Sequence, residues 1–180
     1  HAIAHTSRPE LFLERGRLQE ELLQWSQAAQ GYRMGLKRLH GAIVLRLALL
    51  RVQIKRQKYQ SALQLIKPML QKLPVKADWW MKRASIYQKM GKHTLAQKDR
   101  LAALQETRQL YQIRPISILL FKQIHIHIQL KHYQKALLLL KKACKKWPNH
   151  LKLQQLSVMR KEHMHNICLP KSKKPKRCLD

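Results

Sequence analysis

Acidic side chains are scarce in this chain: Asp and Glu number 9 against 37 Lys and Arg, a formal charge of +28 over 180 residues. That scarcity argues against general acid–base catalysis by a carboxylate pair. The cation surplus attracts acidic partners at long range and strains the compact state by self-repulsion. It is uneven, with six basic and four acidic residues in 1–38 and 31 against five in 39–180. Glycine and proline are few, 5 and 7, and runs of alternating Val, Ile and Thr bounded by turn residues are missing, which argues against strands. Three cysteines, Cys144, Cys168 and Cys178, make no disulfide framework, although Cys168 and Cys178 are near enough in sequence to pair. The longest candidate for a membrane span, Ile116 to Phe121, falls far short of the ~20 residues required.

Motifs for chemistry are missing too. There is no Gly-rich phosphate loop, HExxH pair or CxxC pair. The ten histidines invite a metal hypothesis, but His125 and His127 point to different sides of a helix. His163, His165 and Cys168 lack a fourth ligand at fixed spacing. No enzyme activity, cofactor, metal or small-molecule substrate is expected. The opening HAIAH carries no initiating Met, charged leader or apolar signal core, and fits either a processed or a trimmed chain.

What is present is a helix-forming composition rich in Leu, Gln, Lys, Arg and Ala, and a repeat. Trp25, Ala28, Tyr32 and Gly35 define a pattern that recurs as Tyr59, Ala62, Ile66 and Met69. It returns as His93, Ala96, Arg100 and Ala103, then as Tyr133, Ala136, Leu140 and Ala143. The leading residues are 34, 34 and 40 apart. Upstream of each lies a second helical half with apolar residues at three- and four-residue spacings: PELFLERGRLQEELLQW, IVLRLALLRVQIKRQKY, ADWWMKRASIYQKMGKH and SILLFKQIHIHIQLKHY. Gly91 stands where a first helix should stop, and Pro74 and Pro148 follow second helices.

On these residues the chain resembles the tetratricopeptide repeat family, whose unit is 34 residues long. The resemblance implies an all-α, right-handed superhelix of about four helix pairs, near 9–42, 43–76, 77–116 and 117–150. An extension over 1–8, a capping helix over 151–168 and a basic, compositionally disordered tail over 170–180 complete the expected organisation. The family's small residue in the first helix corresponds to Gly16 and Ala84, but stands as Leu50 and Ile124 in the second and fourth units. His93 and Arg100 replace bulky apolar residues in the third. Looser or rearranged packing is expected at those places, and the six extra residues of the third unit should lengthen its second helix to roughly Thr94–Gln112. The texture of residues 8–105 is similar to a bacterial group of tetratricopeptide proteins often predicted to be exported. A periplasmic or exported location and a cytoplasmic one both stay open.

In the family the first helices line a concave surface, which implies a groove row of Leu13, Leu47, Met81 and Phe121. One turn on lie Arg17, Arg51, Ser85 and His125, with Lys55, Lys82, Lys89 and Lys122 nearby. An apolar ladder beside a basic one suits an extended or helical peptide with acidic residues. The same residues also read as ordinary inter-helix core and as part of a chain that is basic everywhere. The Lys and Asn clamp with which some family members grip a terminal carboxylate is not present, since Leu13, Leu47 and Met81 stand in its place. Trp80 is expected in the core and its neighbour Trp79 exposed. The expected function is a non-catalytic protein–protein scaffold for an acidic or amphipathic segment. The alternative is nucleic-acid binding through the basic surface, for which the aromatic content of 6% offers few stacking platforms. Adhesion to an anionic membrane surface ranks third.

Overall fold

The computed structural model describes residues 8–39 and 42–148. The expected extension over 1–8 (all but Arg8), capping helix and tail, the histidines at 163 and 165 and the cysteines at 168 and 178 lie outside them. Among the described residues there are eight α-helices and no strand. They are α1 (Pro9–Glu21), α2 (Trp25–Arg38), α3 (Ile43–Lys55), α4 (Tyr59–Lys72), α5 (Ala77–Lys89), α6 (His93–Ile113), α7 (Ser117–Gln129) and α8 (Tyr133–Lys146). The chain divides into two compact units, residues 1–106 and 107–180, the division falling inside α6. In the first, each of α1 to α4 packs on its successor and α1 also meets α3; in the second, α7 packs on α8.

One turn joins the helices of every pair. Leu23, Gln57 and Lys131 hold φ of 58°, 58° and 60°, and Gly91 holds 72°. The next residue reaches back to the same carbonyl each time: Gln24 N to Gln19 O at 2.8 Å, Lys58 N to Gln53 O at 2.9 Å, Lys92 N to Tyr87 O at 2.8 Å and His132 N to His127 O at 2.9 Å. This Schellman geometry satisfies carbonyls that a helix end would otherwise leave open. Only one of the four left-handed positions is glycine, so the other three carry the steric cost of a Cβ there.

The helix faces meet in three apolar clusters. The first joins Phe12, Ala28, Tyr32, Leu45, Leu49 and Val52 across α1, α2 and α3. The second joins Leu50, Ala62, Ile66, Trp79 and Ile86 across α3, α4 and α5. The third, in the second unit, joins Leu120, Ile124, Ala136, Leu140 and Ala143 across α7 and α8.

The expected loosening at Leu50 and Ile124 is not found. Gly16 faces the Tyr32 ring so closely that a Cβ there would sit 2.2 Å from it. At the equivalent places Leu50 shares a cluster with the smaller Ile66, and Ile124 with Leu140. Volume has moved from the second helix to the first, and all four side chains are buried. Close packing conserves the sum, not the individual residue. The third pair is rearranged in a polar way. Arg100 Nη2 donates to Gln88 Oε1 at 3.3 Å, and Gln88 Nε2 lies 3.1 Å from His93 Nδ1.

The expected order of the two tryptophans is reversed. Trp79 is only 7% exposed within the second cluster, whereas Trp80 is half-buried. Trp79 stands 34 residues after the buried Leu45, and Trp80 after the half-buried Arg46. The register within this chain therefore decides which indole is covered.

Candidate partner-binding face

In the first unit Leu13, Leu47 and Met81 stand 34 residues apart on α1, α3 and α5, and all three are half-buried. Leu13 leans on the first cluster and Leu47 on the second. Each gives part of its surface to the core and leaves part exposed. Arg17, Lys55, Ser85 and Lys89 are exposed, and Lys82 is half-buried.

Arg51 is tied to its own chain. Its Nη2 lies 2.7 Å from Glu20 Oε1 and its Nε 3.1 Å from Oε2, a two-pronged pair between α3 and α1. Tyr32 Oη of α2 donates to the same Glu20 Oε1 at 2.7 Å. Burial pushes the Glu20 carboxyl up, but the hydrogen bonds from Arg51 and Tyr32 and the Arg51 charge outweigh it and hold the pKa below the ordinary value. Burial, then the bond to Glu20, push Tyr32 up. The bond to Glu20 raises Arg51. A partner that used this guanidinium would have to displace a three-helix tie. Glu20 was not singled out from the sequence. The signal was there, since it stands one turn past Gly16, the residue on which Tyr32 rests.

Two further carboxylates are used the same way. Asp99 of α6, buried, accepts two 2.7 Å bonds from Arg83 Nε and Nη2 of α5, and the bond raises Arg83. Glu106 of α6 accepts from the Lys76 and Ala77 backbone N–H groups and so caps α5, which has no side-chain cap of its own. These acids tie elements of the first unit to one another.

In the second unit Phe121 is half-buried against the third cluster, Lys122 is half-buried and His125 is exposed. His127, two residues on, is fully covered, with Arg108 Nη2 at 3.2 Å from its Nε2 and the His132 ring 5.7 Å away. Burial, then the charges of Arg108, His132 and Lys135, push its pKa down to about 4. It is a neutral core group.

Helical hairpins that recur with the same turn make this an all-α protein of repeated helix pairs. No protein-family model matches the chain, and no curated protein matches it. Solved structures similar to it include MamA 41-end from Desulfovibrio magneticus RS-1, at 13% identity over 80% of this chain and 78% of that chain, TM-score 0.48. MamA of MSR-1 is similar at 16% identity over 87% and 82%, TM-score 0.45. YrrB, described as a TPR protein with an unusual peptide-binding site, is similar at 14% identity over 85% and 93%, TM-score 0.42.

Proposed function

We propose that this chain is a non-catalytic scaffold whose first helices bind an extended or helical partner segment bearing apolar and acidic residues. The observation that carries the reading is the row of Leu13, Leu47 and Met81, each left half-open at a strict 34-residue interval. Apolar contact along that row supplies affinity. Arg17, Lys55, Lys82 and Lys89 beside it supply orientation and on-rate for an acidic segment. Phe121, Lys122 and His125 offer the same kinds of group on α7 of the second unit.

A displayed peptide library selected on the whole protein tests this. Enrichment of segments that combine acidic and apolar residues, lost in Leu47→Asp and weakened in Lys55→Glu/Lys89→Glu, is expected. Circular dichroism must show that both variants stay folded. Selection that ignores these substitutions, or that enriches no common segment, would sink the reading.

A further inference from the structure

Among residues 107–148 there is no Asp or Glu, against nine Lys and Arg. The described part of the first unit has 20 Lys and Arg and seven acids, and Glu20, Asp99 and Glu106 are committed to internal bonds. No ion pair can therefore form between side chains of the described second unit.

The cations concentrate on α8. Lys135, Leu138, Lys142 and Lys145 follow one another at three- and four-residue intervals, so they share a face, and all are exposed. Lys141 and Lys146 flank it, the latter with Nζ 4.9 Å from the Trp147 ring centre. The opposite face carries the buried Ala136, Leu140 and Ala143. Lys141–Lys145 and Lys142–Lys146 are like charges one turn apart, which disfavours a helix, and Lys135 sits near the positive end of its dipole. Among the described residues of this unit no acid offsets these charges.

Its chemistry narrows the partner. A protein interface draws most of its affinity from buried aromatic or apolar anchors, and a bilayer surface needs a broad apolar face. This face has one apolar side chain, Leu138, 67% exposed among lysines. A phosphodiester chain needs neither anchor nor apolar face. It offers evenly spaced negative charges, and each phosphate neutralised by Lys releases counterions. From Lys135 to Lys145 the helix spans roughly 15 Å, enough for long flexible arms to reach several phosphates. Lysines are point charges without the fork that reads a guanine edge.

We propose that the outer face of α8 binds nucleic acid through its phosphate backbone, without base specificity. It uses none of the residues of the row on α1, α3 and α5, so either reading can fail alone.

The test is fluorescence anisotropy of the whole chain with a labelled DNA duplex across a salt series, repeated with a labelled single strand. The triple variant Lys135→Gln/Lys142→Gln/Lys145→Gln is compared with Lys37→Gln/Lys67→Gln/Lys72→Gln, an equal charge change on exposed first-unit positions. Loss of three phosphate contacts should flatten the slope of log K against log salt by about 3 in the α8 variant. The first-unit variant and Leu47→Asp should keep the wild-type slope. Equal losses in both triples, or none in either, would overturn the assignment, because the charge would then act without a site. Competition by polyglutamate or by anionic vesicles as strong as that by unlabelled duplex would also overturn it, in favour of an acidic protein or a membrane. A single strand that binds as tightly as duplex supports it, as does a duplex preference.

Discussion

The two units use charge in opposite ways. In the first, scarce carboxylates are placed where they join helices: Glu20 between α1, α2 and α3, Asp99 between α5 and α6, Glu106 at the start of α5. In the second no carboxylate exists among the described residues, and the buried, neutral His127 meets the exposed Arg108 instead. The lesson is that net charge says little until each acid is located. A cation paired internally is a structural element, and a cation on an acid-free hairpin is a surface charge.

The largest expected effect breaks the first unit's side of this comparison. Asp99→Ala strands Arg83 without its buried partner and should cost about 3 kcal/mol in urea unfolding, whereas removing a rim cation such as Lys89 should change stability by less than about 0.5 kcal/mol.

Acid tests the second unit. His127 titrates near 4 when folded and near 6.5 when unfolded, so between those values the unfolded chain binds the extra proton. Its contribution is present above pH 6.5 and is lost as the pH falls towards 4, by at most about 3 kcal/mol. The groups facing it are Arg108, His132 and Lys135, all of which oppose its protonation. Thermal melts at pH 7 and 4.5 should show a larger drop for the wild type than for His127→Gln. Equal drops would place the acid sensitivity elsewhere, Glu20 first, since its lowered pKa also withdraws stability in acid.

A sharper comparison lies between equivalent contacts. Gly16→Leu should cost about 3 kcal/mol by overpacking against Tyr32. Adding Tyr32→Ile, which copies the Leu50 and Ile66 pair, should recover part of that loss in a double-mutant cycle. Additive losses would show that the two hairpins do not exchange volume as described. The smallest effect concerns the turns. Gln57→Gly and Lys131→Gly should each stabilise by up to about 1 kcal/mol, and Gly91→Ala should destabilise by a similar amount, read from melting midpoints.

Much of the architecture was legible in the residues. The 34-residue recurrence of Trp25, Tyr59 and His93 and the three- and four-residue apolar spacing placed eight helices, because burial of one helix face writes a period into the chain. The lengthening of α6 could be read from the six extra residues before Arg114 and Pro115. Gly91 marked its turn by identity, but Leu23, Gln57 and Lys131 take the same left-handed backbone with side chains that announce nothing. There the hydrogen bonds of the whole turn outweigh the local steric preference.

Along the candidate face, composition and register named the residues, but partners decided what each one is. Arg17 and Arg51 occupy equivalent places, yet Arg51 is bound by Glu20. Trp79 and Trp80 are identical side chains, and a neighbouring helix covers one more than the other. By itself the sequence determined the helices, their pairing and the excess of positive charge, because these depend on local spacing and counting. Only the tertiary structure decided which volumes complement each other, which cations are spent on acids and which face stays exposed. Those are properties of pairs distant in sequence, and only the packing of one helix on another brings them together.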